Sequence, residues 1–208
     1  MEELETKGLS MPSAGRRSGA GRPEVTSHAE IEQAAFRLFA EQGFEATTVE
    51  AIAAEIGVSR RTLFRYYSSK NDIPWGQFDR TLDGFRQILA GMPTDLPLHE
   101  AVHRGVLAFN EFPEDSQPPH RDRMRLILRT PALQAHSVLR YAEWRAVIAD
   151  YVADRRGLEA DDLMPRTVGH VSLALALSAY EQWLESPDAS LPTLLEAAMA
   201  SLAEHLAT

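Results

Sequence analysis

Two short apolar runs meet at Gly57-Val58-Ser59, and this junction constrains the fold more than any other feature of the chain. Upstream, Val49, Ile52, Ala53 and Ile56 fall on one face of a short helix, opened by a capping-box spacing at Thr47-Thr48-Val49-Glu50. Gly57 ends that helix and supplies the backbone freedom a tight turn needs. Ser59 then caps a further helix over Arg60 to Tyr67. Residues on a helix are about 100° apart, so Leu63 and Tyr67 share a face, flanked by Phe64, that packs inward. Arg61, Thr62, Arg65 and Tyr66 take the opposite face, and Arg60 at the boundary reaches outward on its long stem. Such a face offers forked donors to guanine O6/N7 and smaller groups to phosphates or thymine methyls. The helix N-terminus adds free N–H groups, and Lys70 just beyond the helix is a phosphate anchor.

The rest of the chain also reads as helix. Residues 1–25 carry Gly, Ser, Pro and charges without apolar periodicity and are expected to form a disordered basic arm. Ile31, Ala35, Leu38 and Phe39 mark a first helix that Gly43 stops. Ser69-x-x-Asp72 repeats the capping-box pattern and predicts a long fourth helix, with Phe78, Leu82, Phe85 and Leu89 in one stripe and Pro74 bending its start. Further helical runs fall at about 98–112, 118–130, 132–156, 162–186 and 191–206, punctuated by prolines and Gly157. No strand-like alternation of useful length appears. The expected fold is all-α with roughly nine helices: a helix-turn-helix domain over 26–75 and a second helical domain over 76–208, to which the resemblance given below assigns sensing and dimerisation.

The net charge of −9 looks wrong for a nucleic-acid binder, but its distribution matters more than its sum. Residues 57–71 hold Arg60, Arg61, Arg65 and Lys70 and no acid, and residues 10–23 hold Arg16, Arg17 and Arg22 and no acid. Residues 76–208 carry 12 basic and 19 acidic side chains, so two basic islands sit on an acidic body. That arrangement keeps phosphate attraction local. Without cysteine, neither disulfides nor thiolate metal sites are possible, as suits a reducing cytoplasm. The N-terminus lacks an apolar signal core. The most apolar stretch, 171–179, falls far short of the ~20 residues of a membrane span, so a soluble cytoplasmic protein with no membrane partner is expected.

The segment from Phe39-Ala-x-x-Gly43-Phe44 through Thr47-Thr48-Val49, Ile52-Ala53, Gly57-Val58-Ser59 and Thr62-Leu63-Phe64 to Ser69-Lys70 resembles the N-terminal domain of the TetR family of bacterial regulators. The likeness in motif spans about residues 28–75; beyond it, only helical architecture and length agree. The run from Thr62 to Gly76 is similar to that of actinobacterial members associated with mycofactocin genes. Charge pattern alone would equally suit a helical hairpin with solvated arginines, and the ordered motif favours the DNA-binding reading. The chain departs from the family at Phe64, where a Tyr is common and a hydroxyl contact is lost. It departs again at Arg61, where a small residue is common and a base-reading group is gained.

The resemblance implies a dimer whose recognition helices enter successive major grooves about 34 Å apart on a palindromic operator. Arg60, Arg61, Thr62 and Arg65 would read bases, with Phe64 stacking or meeting methyls. Thr47, Thr48, Ser59, Tyr66 and Lys70 would hold phosphates. The basic arm is either a loose tail or a source of minor-groove arginines. A four-helix bundle built from the last two helices of each copy would form the homodimer. A small-molecule effector in the C-terminal half would tilt helix four and release the operator, making the chain a repressor.

That half holds many apolar and aromatic residues at helical spacing, most of them ordinary core. The expected pocket set is Phe78, Phe85, Phe109, Asn110, Met124, Leu128, Tyr141, Trp144, Ile148 and His170. Arg121, Arg123, Arg125 and Arg129 suit either a solvated helix face or an anionic head group such as that of an acyl-CoA. One enzyme motif competes. His99-Glu100-Ala101-Val102-His103 is a literal H-E-x-x-H, two imidazoles and a Glu on one helix as in a zinc hydrolase. The extended motif needs Gly at 106 and His at 109, where this chain has Val106 and Phe109. The pair is therefore read as pocket or surface histidines, and no catalytic residue, metal or cofactor is expected.

Overall fold

The computed structural model describes residues 26–113 and 115–206, and the side chains of 26–113 and 115–201; the expected basic arm over 1–25 lies outside them. Among the described residues there are nine α-helices, one 3₁₀ helix and no strand. Helix α1 (His28–Gln42) starts at a capping box that the sequence reading missed: Ser27 accepts from the Glu30 N–H, and Glu30 accepts from the Ser27 N–H at 2.7 Å. Gly43, at φ 84°, ends it.

The turn into α2 (Val49–Glu55) is capped by Thr48, which accepts from the Ala51 N–H at 3.1 Å. Thr47, expected as the start of that capping box, instead buries its hydroxyl against the carbonyls of Leu38 and Gly43. Gly57, at φ 68°, makes the turn to α3, with Ser59 as its cap. Helix α3 (Arg60–Leu63) is shorter than expected; residues 64–66 continue as turns, with Arg65 and Tyr66 donating to Thr62 and Leu63 three residues back.

The expected long fourth helix is divided. Residues Lys70–Trp75 form a 3₁₀ helix, because Pro74 supplies no N–H and Gly76, at φ 60°, turns the chain before α4 (Phe78–Ala90) begins. Ser69 still meets Asp72, at 2.8 Å, but side chain to side chain and not as a helix cap.

Helices α5 (Leu98–Phe109), α6 (His120–Arg129), α7 (Pro131–Arg156), α8 (Leu163–Glu185) and α9 (Leu191–Leu206) complete the body. Pro131 stands at the first position of α7 and Gly157, left-handed, ends it. A Cβ on Gly105 of α5 would lie 2.3 Å from the Leu89 side chain, and one on Gly169 of α8 would lie 2.8 Å from the Arg145 carbonyl. These two glycines let α5 close on α4 and α8 close on α7.

Two apolar clusters result. The first joins Ile31, Leu38, Phe39, Ile52, Leu63 and Ile73 to Leu133 of α7. The second gathers Leu82, Phe85, Leu89, Val106, Trp144, Ile148, Leu173 and Tyr180 from α4, α5, α7 and α8. Leu133 seats the helix-turn-helix on the body; each such buried side chain contributes about 1.5–3 kcal/mol. No described helix is long and apolar enough to cross a membrane.

Candidate nucleic-acid interface and effector cavity

Helix α3 and its flanks present a cationic face. Arg61 and Arg65 are exposed and carry no ion pair among the described residues. Arg60 pairs with Glu50 at 2.9 Å and lies 5.2 Å above the Phe64 ring. Phe64 is itself 38% exposed, turned outward and not flanking the core. An apolar ring held there by a guanidinium suits contact with a thymine methyl. Thr62 shares a 2.9 Å hydrogen bond with the Ser59 hydroxyl, and Thr48 stands exposed at its cap.

Three of the expected phosphate ligands are engaged internally. Thr47 is buried. The Tyr66 hydroxyl donates to the Thr26 carbonyl at 2.5 Å, because α3 is too short to carry residue 66 to the outer face. Lys70 donates to the carbonyls of Phe44 and Thr47 at 2.7 and 2.9 Å, with its ammonium 4.3 Å from the centre of the Phe44 ring. It closes the loop between α1 and α2, whose carbonyls would otherwise lack a donor.

Two charged junctions bind this head to the body. Glu32 of α1 accepts from Tyr67 at 2.7 Å and from Arg123 of α6 at 2.5 Å, and Arg123 also donates to the Pro74 carbonyl at 2.6 Å. Burial and the bond to Glu32 push the Tyr67 phenol well above its ordinary value. Asp72 meets Arg140 and His136 of α7, both at 2.9 Å. Burial alone would raise the Asp72 carboxyl, but hydrogen bonds from Ser69, Arg140 and His136 hold it below its ordinary value. Gly76 sits against the first junction, where a Cβ would come within 3.2 Å of Glu32 and 3.3 Å of Arg123.

Behind that junction the body holds a half-open cavity of about 360 Å³. Phe78, Phe109, Asn110, Met124, Tyr141 and Trp144 line it. Four of the expected residues do not. Phe85 and Ile148 are fully buried core, Phe85 stacked on Trp144, and Leu128 packs against the same core. His170 is exposed on a separate groove between α7 and α8, since Gly169 turns the facing side of α8 toward Arg145. Trp75, His120, Leu177 and Tyr180 also line the cavity and stand outside the expected pocket set, as do Glu32 and Arg123, which form one end of the wall. A Glu on α1 and an Arg 91 residues away carry no local signal of their meeting.

The H-E-x-x-H motif does not converge. His99 is exposed, Glu100 pairs with Arg104, and His103 lies 3.3 Å from Glu196 of α9. Among the described residues no three His, Cys, Asp or Glu side chains are grouped so as to hold a metal ion.

A reading head tied by ion pairs to a hollow helical body is the build of a DNA-binding regulator. Residues 31–73 match the family described as bacterial regulatory proteins, tetR family, and residues 96–207 match the MftR C-terminal domain. The chain is 46% identical over 181 residues to the mycofactocin biosynthesis transcriptional regulator MftR of Mycobacterium tuberculosis, covering 87% of this chain and 91% of that one. It is 31% identical over 182 residues to the transcriptional regulator TcmR of Streptomyces glaucescens, covering 83% and 80%. Among solved structures, the TetR-family repressor FadR of Thermus thermophilus, in complex with lauroyl-CoA, shares the fold with a TM-score of 0.56 at 22% identity, covering 86% and 94%. The chain belongs to the TetR family of DNA-binding transcriptional regulators, with a C-terminal domain of the MftR type.

Proposed function

We propose that this chain is a cytoplasmic, dimeric repressor, without enzymatic activity or cofactor, that leaves a palindromic operator when a small apolar or acyl-type effector fills the cavity. One observation carries the reading: Glu32, Pro74, Gly76 and Arg123 belong both to the cavity wall and to the junction that orients α1 and α3. An effector that prefers a different spacing of these groups shifts the head; one indifferent to it shifts nothing. In the DNA-bound state Arg60, Arg61, Thr62 and Arg65 read bases, while Thr48 and Ser59 hold phosphates.

Support for dimerisation comes from the outer face of α8 and α9. Val171, Ala174, Leu175 and Ser178 of α8, with Ala197 and Ala200 of α9, form a stripe of small and apolar side chains that is exposed or half-exposed in the single chain. Small residues let two helix pairs approach closely as a bundle. The lauroyl-CoA carried by the Thermus thermophilus FadR structure supports an acyl-type effector. The test is release: lauroyl-CoA is titrated into the protein bound to DNA from its own upstream region. Dissociation with a saturable midpoint is expected, and unchanged binding at full cavity occupancy would sink the effector reading.

A further inference from the structure

A chain of hydrogen bonds in the cavity wall has a fixed direction. Asn110, buried at the end of α5, donates through Nδ2 to the Val106 carbonyl at 2.7 Å, so its Oδ1 is left as an acceptor. The Tyr180 hydroxyl lies 2.7 Å from that Oδ1 and spends its single proton there. His120 Nε2 lies 2.8 Å from the same hydroxyl oxygen, which now has only lone pairs to offer. Nε2 must therefore carry the imidazole proton. A neutral ring has one proton, so Nδ1 is a bare acceptor.

Nδ1 has no hydrogen-bond partner among the described residues, and the ring that carries it belongs to the cavity wall. The ring cannot easily turn away, because it stacks on Phe112 with centroids 3.7 Å apart and planes at 17°, and lies near Trp183. Burial and the Arg123 guanidinium push the imidazole down to about 4, so it stays neutral around pH 7. Two further polar groups of the wall, Trp75 Nε1 and the Tyr141 hydroxyl, have no hydrogen-bond partner among the described residues and are shielded by their neighbours.

We propose that His120 Nδ1 is the specificity-determining acceptor of the cavity, and that the effector carries an O–H or N–H donor on an apolar or aromatic frame. Tyr180 and Asn110 are positioning residues that fix the tautomer. The inference rests on the cavity being the effector site. A bare hydrocarbon leaves Nδ1 unpaired, and a ligand offering only acceptor oxygens at that point meets a lone pair.

The test is equilibrium dialysis of the full chain at pH 7.5 with three probes of similar shape: 2-naphthol, 2-methylnaphthalene and 2-acetylnaphthalene. The naphthol is expected to bind roughly five-fold more tightly than the methyl compound, the net worth of one neutral hydrogen bond. His120→Phe erases that preference. Tyr180→Phe frees the ring to carry its proton on Nδ1 and moves the preference toward the acetyl compound. Nitrogen NMR of labelled histidine reads the tautomer independently, with Nδ1 unprotonated in the wild type and mixed in Tyr180→Phe. Equal wild-type binding of naphthol and methylnaphthalene, or a preference that survives His120→Phe, overturns the inference and leaves the cavity standing. Failure of all three probes to bind overturns the cavity reading and this one together.

Discussion

Arg123 Nη2 of α6 lies 2.5 Å from Glu32 Oε2 of α1, across 91 residues of sequence, at the place where the cavity of the body meets the helix-turn-helix head. The pair is well shielded, with 18% and 10% of its side-chain surfaces exposed. Glu32 passes the contact on to Tyr67, at the end of the recognition segment, and Arg123 passes it to Pro74 before the Gly76 turn. The head and the cavity wall therefore share one ion pair.

Removing one partner of a buried pair leaves a charge uncompensated, at a cost of about 3–5 kcal/mol. Arg123→Met is expected near the lower end of that range, since the site is not fully sealed. Glu32→Met/Arg123→Met should recover part of the loss. In urea denaturation a double-mutant cycle reads the coupling directly, and additive losses would show that the pair is not coupled.

Lys70→Met should destabilise the head by about 1–3 kcal/mol, because the carbonyls of Phe44 and Thr47 lose a charged donor. DNA affinity then falls on every sequence, while the salt dependence of binding stays as it was. A lysine serving as a free phosphate anchor would instead lower the salt slope by about one unit with little change in melting temperature.

Arg61 is exposed and makes no hydrogen bond or ion pair among the described residues, so stability should hold in Arg61→Ala. Operator affinity is expected to drop by about 1–3 kcal/mol, with specificity relaxed at one base pair. Comparing operator with random DNA checks this, and equal losses on both would remove Arg61 from the base-reading set.

Acid should loosen the body through His120. Its folded value is lowered to about 4 from 6.5, so between these values the unfolded chain takes up a proton that the folded chain refuses. The stabilisation is complete above about pH 7 and declines as the pH falls toward 4, by about 3 kcal/mol at most. Asp72 acts lower: its carboxyl is held below 3.8, so its share is lost only at more acidic pH. Tyr180 of α8 and Asn110 of α5 hold the imidazole, and neither changes charge between pH 4 and 7, while the Arg123 guanidinium of α6 opposes its protonation. Melting curves of wild type and His120→Phe should differ in slope across that window; parallel curves would refute the assignment.

The helix-turn-helix was legible because its signals are local. Gly57, Ser59 and the inward Leu63 act within a few residues of themselves. Errors arose where a neighbour in sequence competed with one in space. Thr47 and Thr48 both suit a cap, and only the fold decides that Thr47 turns in to Leu38. Tyr66 and Phe64 exchanged faces because α3 stops after one turn and the 100° step no longer applies. The cavity was half legible. Helical periodicity identifies Phe85 and Phe109 alike as inward-facing, but one is packed solid and the other borders a void. Whether inward side chains meet or leave a space depends on helix separations that close approaches such as Gly105 against Leu89 determine.

The most direct test of the account is salt-titrated binding of the purified chain to DNA from its own upstream region, with random DNA as control. Tight binding over random DNA, with two chains per site and a steep loss of affinity as salt rises, is the predicted result. Equally weak binding to both DNAs at every salt concentration would contradict it.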